Sequence, residues 1–198
     1  MPRSYRLGER AALVQATRDR IIEAAIELYT EVGISAATMR EIGARADVAP
    51  GTLRNHFPSR LDLDRAMVER LAAAVTLPEP SIFDGTRTLG ERLARLIGAG
   101  GTFCDQARRL YRMWLREPML TSPWIEKGEE YGTRWESLMR TALGPLADDQ
   151  EAMTVLRAVI HPQFYDSMRA GGRSTDEASA LVTAVVVPWF TARARSER

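Results

Sequence analysis

The side chains best suited to chemistry lie in one short stretch, which holds Thr52, Arg54, Asn55 and His56. Their hydroxyl, guanidinium, carboxamide and imidazole groups are those that proteins use to hydrogen-bond to DNA base edges and phosphates. Catalysis would instead need a nucleophile beside a base, or a cluster of metal ligands. Because Cys104, His56 and His161 are far apart in the sequence, we expect no enzyme, no metal site and no cofactor.

A short helix is predicted to position this polar group. Pro50 suits its first position, where a missing N–H costs nothing, and Pro58 closes it. Leu53 and Phe57 lie one turn apart and predict its inward face. The polar side chains therefore lie outward, and the start of the helix offers backbone N–H groups to a phosphate.

Two helices precede it. The first is expected to begin with Thr17 as its cap and to end at Gly33 in the left-handed conformation. Thr38 and Glu41 predict a capping box at the start of the second, which ends in a three-residue turn. Two short helices joined by such a turn are typical of a helix-turn-helix, whose second helix enters the major groove of DNA.

At these residues the chain resembles the tetracycline-repressor (TetR) family of bacterial transcriptional regulators. The resemblance covers Thr17 to Leu63, about a quarter of the chain. It implies a three-helix DNA-binding domain fused to a helical domain whose last two helices form a dimeric four-helix bundle. It also implies a ligand pocket and, most often, repression that a small molecule relieves.

The resemblance further assigns roles to single residues. Thr38 matches a position that caps the second helix and often meets a phosphate, Arg40 matches one that often contacts DNA, and Arg60 matches a basic phosphate-binding residue. Positions of the recognition helix are matched by Pro50, Thr52, Asn55 and His56. Some of these residues have a simpler alternative: Thr38 as a cap alone, the arginines as solvated surface charges, and His56 packed beneath the fourth helix.

Three positions depart from the family pattern. Arg54 stands where the family usually has a phosphate-binding tyrosine, and an arginine there can reach either a phosphate or a guanine. Asp47 stands where glycine is usual, and aspartate tolerates the left-handed conformation better than most residues. Ala49 replaces the usual serine cap, which weakens the start of that helix.

The rest of the chain predicts helices only, so we expect an all-α fold of about nine helices. Ser59 and Asp62 begin a fourth helix, which ends in a loop rich in proline. Further helices are predicted over 86–99, 102–117, 123–142, 148–170 and 175–194, with the last starting at a capping box from Ser174 to Glu177. Glycines separate the first two of these, namely Gly98, Gly100 and Gly101. Pro162 should kink or break the helix predicted over 148–170.

We expect a DNA-binding domain over 1–60, with a flexible arm over 1–13, and a ligand-binding and dimerisation domain over 61–198.

Large aromatic side chains recur at helical spacing in this second part. They line either a hydrophobic core or a pocket for a hydrophobic, aromatic small molecule. The candidates for the wall are Phe103, Tyr111, Trp114, Tyr131, Trp135 and Phe164. Arg157 and His161, expected one turn apart on one helix, would add a polar or anionic contact, although His161 can also be a hydrogen-bonded structural residue.

The last predicted helix carries a broad apolar stripe that a second copy of the chain should cover. The stripe comprises Leu181, Val182, Val185, Val186 and Trp189. With the segment 148–170 it predicts a symmetric homodimer, which would present two recognition helices to an inverted repeat in double-stranded DNA.

Composition limits the other classes of function. The net charge is only +1, so a DNA-binding surface must be a local patch. The longest apolar run, Leu181 to Ala192, is too short for a membrane span and contains Pro188. We therefore expect a cytoplasmic protein without a membrane partner. A helical adaptor that has lost DNA binding, or an activator in place of a repressor, remains open.

Overall fold

The structure is a computed structural model that describes the backbone of residues 3–115 and 121–196 and the side chains of residues 8–113 and 121–196. Within these ranges the chain is all-α, as predicted, and has no strand. The α-helices are α1 Arg3–Val32, α2 Met39–Arg45, α3 Pro50–His56, α4 Arg60–Ala72, α5 Leu89–Gln106, α6 Arg108–Leu115, α7 Ser122–Leu143, α8 Gln150–Val159, α9 Pro162–Arg169 and α10 Thr175–Ser196. Short 3₁₀ segments occur at Pro80–Phe83 and Gly144–Asp148. None of the described helices is long and apolar enough to cross a membrane.

The chain divides into two compact units. The first comprises Met1–Ala73 and Arg109–Lys127, and the second comprises Ala74–Arg108 and Gly128–Arg198. The first unit continues past residue 60 because Leu63, Met67 and other apolar residues of α4 are buried in the same core as α1. The functional boundary at residue 60 stays a prediction.

The core of the first unit is built around α1. Ile21, Ile26 and Tyr29 are fully or almost fully buried there, together with Ile42 of α2 and Leu53 of α3. Within α1 the buried residues Ile21, Ala25 and Tyr29 recur at four-residue steps, which places them on one face of the helix. That face fixes the two short helices against the long one.

The start of α1 differs from the prediction. The helix already includes residues 3–13, which were expected to form a flexible arm, and Thr17 lies in its interior, where its hydroxyl donates to the Leu13 carbonyl at 3.0 Å. The physical reason is that residues 9–20 contain no glycine or proline and are rich in good helix formers. Residues 8–16 of this first part of α1 are exposed.

The expected turns and caps of the helix-turn-helix are confirmed. The Thr38–Glu41 capping box is complete in both directions, and Gly33 has the left-handed conformation, with φ +93°. Asp47 takes the left-handed turn position with φ +52°. Ala49 provides no side-chain cap, as expected.

The second unit is organised around the contact between α5 and α10. Gly98, Gly100 and Gly101, expected to separate two helices, lie inside α5. A Cβ on Gly101 would come within 2.5 Å of the Ser179 hydroxyl of α10. Glycine is therefore present because a neighbouring helix needs the space.

The helix predicted over 148–170 is broken at Pro162, which is one of the two outcomes expected there, a kink or a break. α8 ends at Val159 and α9 begins at Pro162, which raises the helix number from about nine to ten within the described residues. The expectation that Arg157 and His161 lie one turn apart on one helix is wrong, because α8 ends at Val159 and His161 occupies the N-cap position of α9. Farther along, the Ser174–Glu177 capping box at the start of α10 is confirmed by hydrogen bonds in both directions.

Candidate functional site

A concave recess of about 610 Å³ lies along α2 and α3. Its apolar floor includes Leu53 and Phe57, which are only 4% and 1% exposed. Its lining also includes the exposed Arg40 and Arg54. A surface with exposed guanidinium groups above an apolar floor suits a chain of phosphates.

The outward face of α3 carries the polar group predicted from the sequence. Arg54 and Asn55 are exposed, whereas Thr52 and His56 are half-buried. This arrangement follows from the burial of Leu53, which fixes the rotation of the short helix. The structure thus brings the predicted base-reading side chains together on one helix.

A residue that the sequence analysis missed anchors the end of α3. The Arg18 guanidinium donates a hydrogen bond of 3.1 Å to the His56 carbonyl and lies 4.3 Å from the centre of the Phe57 ring. The contact joins α1 to the last turn of α3. Nothing in the local pattern of α1 distinguishes Arg18 from an exposed arginine, and only the fold reveals it.

Thr38 is confirmed as a cap. Its hydroxyl donates to Glu41 Oε2 at 2.7 Å and accepts from the Glu41 N–H at 3.2 Å. The hydrogen bond from the Thr38 hydroxyl, with that from the Thr38 backbone N–H, lowers the pKa of Glu41. The phosphate contact at Thr38 stays a prediction, and it would have to share a hydroxyl that is already engaged.

Arg60 faces the protein more than the other predicted DNA-binding arginines do. Its guanidinium donates to the carbonyls of Ile34 and Ala37 and to the Asp64 carboxylate, and it lies over the Tyr29 ring. Its side chain is 30% exposed. A phosphate contact by Arg60 also stays a prediction.

The predicted dimer stripe on α10 divides into two faces. Leu181, Val185 and Trp189 are 38%, 63% and 37% exposed. Val182 and Val186, at 0% and 8%, belong to the core of the second unit. Their assignment to an interface is wrong because these two residues, four positions apart, lie on the face of the helix that is turned inward.

Four of the six aromatic residues predicted for the pocket wall lie in one apolar cluster of the second unit. The Phe103 ring makes edge-to-face contacts with Tyr131 and Trp135, at centroid distances of 5.6 and 5.1 Å. Phe164 packs against the same cluster. Tyr111 instead lies in the segment that belongs to the first unit, and the side chain of Trp114 lies outside the described residues.

The polar pocket candidates are exposed. Arg157 donates to Glu136 at 2.6 Å and is 58% exposed. His161 is exposed at the N-terminal end of α9. Their role toward a ligand stays a prediction.

Comparison with known proteins agrees with this geometry. The model of the family described as bacterial regulatory proteins, tetR family, matches residues 21–67. The HTH-type transcriptional regulator SrpR of Pseudomonas putida is 38% identical over 58 residues, which cover 29% of this chain and 27% of SrpR. The regulator UidR of Escherichia coli (strain K12) is 41% identical over 54 residues, or 27% of this chain and 28% of UidR. The matched segment thus spans little more than a quarter of these relatives.

Solved structures extend the likeness in fold over most of the chain. A TetR-like transcriptional regulator from Rhodococcus sp. RHA1 has a TM-score of 0.62 at 18% identity, over 87% of this chain and 93% of that one. SmeT, solved as a complex with triclosan, has a TM-score of 0.58 at 21% identity, over 87% and 90%. Residues 21–67 therefore match the tetR family of bacterial regulatory proteins, and the fold of most of the chain resembles that of a solved TetR-like regulator.

Proposed function

We propose that this protein is a transcriptional regulator that binds double-stranded DNA through α2 and α3. The observation that carries the proposal is the face of α3 on which Arg54 and Asn55 are exposed while Leu53 is buried. A helix of this kind can enter a major groove because its base-reading side chains point away from the core. The family match over residues 21–67 supports the same function.

The proposed contacts divide into two kinds. Arg40 and Arg54, on the recess along α2 and α3, bind phosphates together with Thr38. Thr52, Asn55 and His56 of α3 read base edges, since hydroxyl, carboxamide and imidazole groups match the donors and acceptors of the major groove. Pro50 begins the helix and brings its first turn close to the DNA.

We further propose that the regulator acts as a homodimer. The exposed apolar row Leu181, Val185 and Trp189 on α10 is what a second copy would cover. Two copies related by a twofold axis would read an inverted repeat, with recognition helices about 34–36 Å apart. A dimer also doubles the number of phosphate contacts.

The ligand we propose is a hydrophobic, aromatic small molecule that relieves repression. Its site would be walled by the aromatic cluster of Phe103, Tyr131, Trp135 and Phe164. Edge-to-face contacts between such rings add only about 0.5–1.5 kcal/mol beyond the burial of their apolar surface, so an aromatic ligand that keeps this surface buried can replace them. Binding lowers DNA affinity only to the extent that the ligand prefers the DNA-free state.

Selection of duplexes from a random library tests DNA binding. The wild type should enrich an inverted repeat, and Asn55→Ala should lose discrimination at one base pair of each half-site by about 1–3 kcal/mol. Arg70→Ala is the matched control, because Arg70 pairs with Asp19 on another part of the first unit. Failure of the wild type to enrich any sequence would contradict the proposal.

The ligand is tested separately with triclosan and other hydrophobic aromatic compounds. A compound that binds as proposed raises the melting temperature, changes tryptophan fluorescence and releases the selected duplex, and Trp135→Ala weakens all three effects. A reporter gene behind the selected site then shows the direction of regulation. Expression should rise when the regulator is removed, whereas a fall would identify an activator.

A further inference from the structure

Asp64 is a charged residue placed where the first unit is otherwise apolar. Its side chain is 0% exposed, on a helix whose neighbouring positions Leu63 and Met67 belong to the core. Removing a carboxylate from water is costly unless it is paired and hydrogen-bonded. The environment of Asp64 therefore has to supply both an opposite charge and hydrogen-bond donors.

Donors from separate parts of the chain converge on this carboxylate. The Tyr29 hydroxyl of α1 donates at 2.7 Å, the Arg60 Nε–H at 3.2 Å and the Thr121 hydroxyl at 2.9 Å. Burial raises the pKa of Tyr29, and the charge of Asp64 raises it further, so the phenol remains a donor at every physiological pH. Arg60 provides the compensating charge.

The guanidinium of Arg60 also donates hydrogen bonds to the helix-turn-helix. Arg60 donates at 2.7 Å to the carbonyl of Ala37, which directly precedes the Thr38 cap of α2, and also to the carbonyl of Ile34. Both carbonyls belong to the loop between α1 and α2. The orientation of Arg60 thus determines where the chain enters the helix that carries Arg40.

Stability alone gives no reason for such a network. A buried ion pair usually contributes no more than well-packed apolar residues of the same size would. A network of directional hydrogen bonds does, however, specify one geometry where apolar contacts would tolerate several. The network connects the loop before α2 to a residue, Thr121, that lies outside α1–α4.

We propose that Asp64 and Arg60 are positioning residues for DNA binding and that Thr121, through its hydroxyl, holds them in place. Arg60 then acts through the loop before Thr38 and not as a phosphate ligand. The inference rests on the proposed function and adds a regulatory property to it. DNA affinity depends on the hydroxyl of Thr121, a residue that precedes α7 and lies outside the DNA-facing helices.

The test measures affinity for the duplex that the wild type selects, at several salt concentrations. Thr121→Val keeps the shape of the side chain but removes the donor, and it should weaken binding about three- to tenfold. Thr121→Ser restores the hydroxyl and should bind like the wild type. Thr133→Val, which removes an exposed hydroxyl that donates to the Glu129 carbonyl of its own helix, is the matched control and should have no effect.

Arg60→Met distinguishes positioning from a phosphate contact. If Arg60 positions the loop, affinity falls while the slope of log K against log salt stays that of the wild type. If Arg60 binds a phosphate, its removal should instead make the slope shallower by about 0.9 for each copy of the chain, or about 1.8 for the proposed homodimer. Melting temperatures of all variants ensure that the proteins compared are folded at the assay temperature, and Arg70→Met is the control for removal of a charge from α4.

The outcomes separate the two proposals. A wild type that selects no duplex overturns both. A wild type that selects a duplex, with Thr121→Val binding equally well or Arg60→Met giving a shallower slope, overturns the positioning network and leaves the proposed function intact.

Discussion

Val182 and Val185 lie three positions apart on α10, yet Val182 is fully buried and Val185 is 63% exposed. One face of the helix therefore belongs to the core of its own unit, while the other presents apolar side chains outward. Trp189 continues the outward row, and the guanidinium of Arg193 lies 5.4 Å from its ring centre. Burial of this row would be favourable by roughly 25 cal/mol for each Å² removed from water.

We expect Val185→Asp to convert the protein to monomers. A carboxylate at the centre of the exposed row would face its own copy across a twofold axis, and the two charges would have to be buried without partners. Analytical ultracentrifugation at micromolar concentration measures the result. Thr141→Asp, an exposed position on α7, is the control and should remain dimeric. A wild type that sediments as a monomer would contradict the interface.

Arg54→Ala should weaken binding to all DNA sequences by a similar factor. Arg54 is exposed on the recess along α2 and α3, where the family usually has a phosphate-binding tyrosine. Removing one phosphate-binding arginine lowers the steepness of the salt dependence by about 0.9 for each copy of the chain, or about 1.8 for a homodimer. If Arg54 reads a guanine instead, one base position loses about 1–3 kcal/mol of discrimination. Unchanged affinity and unchanged salt dependence would contradict both roles.

The stability of the second unit should fall in acid through Asp149. Its carboxylate accepts a hydrogen bond from Arg193 and caps α8 through the N–H groups of Glu151 and Ala152, which lowers its pKa to about 2. A folded pKa below the unfolded value of about 3.9 stabilises the protein above pH 4. That contribution is lost as the pH falls from about 4 to about 2.

Urea unfolding of Asp149→Asn between pH 2 and pH 6 tests this. The variant should be less stable than the wild type above pH 4, and the difference should shrink toward pH 2. Asp148→Asn is the matched control because its side chain is 96% exposed. A difference that does not change with pH would mean that the charge of Asp149 contributes nothing.

Gly101→Ala should destabilise the protein by about 1–3 kcal/mol, since a methyl group would be forced into a filled contact. The new Cβ would lie 2.5 Å from the Ser179 hydroxyl and 3.0 Å from the Tyr165 ring. The second substitution Ser179→Gly should recover part of the loss. Gly98→Ala, which meets nothing within 4 Å, should be neutral or stabilising in the same unfolding experiment. Equal stability of the two alanine variants would show that the contact can relax.

Local signals in the sequence predicted much of the first unit. Capping boxes at Thr38 and Ser59 gave the starts of α2 and α4, because such boxes involve only residues three positions apart. The left-handed Asp47 and the break at Pro162 are likewise properties of single residues and their neighbours. The box formed by Thr88 and Glu91 at the start of α5 carried the same signal and was overlooked.

Features that depend on distant residues were not predictable. A glycine that ends a helix and one that admits a neighbouring helix look alike in sequence, so Gly101 was misplaced. Val182 and Val186 could not be distinguished from Val185 without knowing which face meets α5. Asp64 resembles any exposed acidic residue of a helix, since its partners Tyr29 and Thr121 are 35 and 57 positions away.

The break at Pro162 affects how the second unit can bend. A proline has no N–H, so Pro162 cannot donate to the Ala158 carbonyl and the backbone ladder of α8 does not continue into α9. The two short helices α8 and α9 meet at Ile160 and His161, which can act as a hinge, whereas one uninterrupted helix would be rigid there. We expect α9, which carries Phe164, to tilt on this hinge without any hydrogen bond of α8 being broken. The backbone of α8 therefore places no restraint on α9, which is held by side-chain contacts with α5, such as that between the Tyr165 hydroxyl and the Ile97 carbonyl.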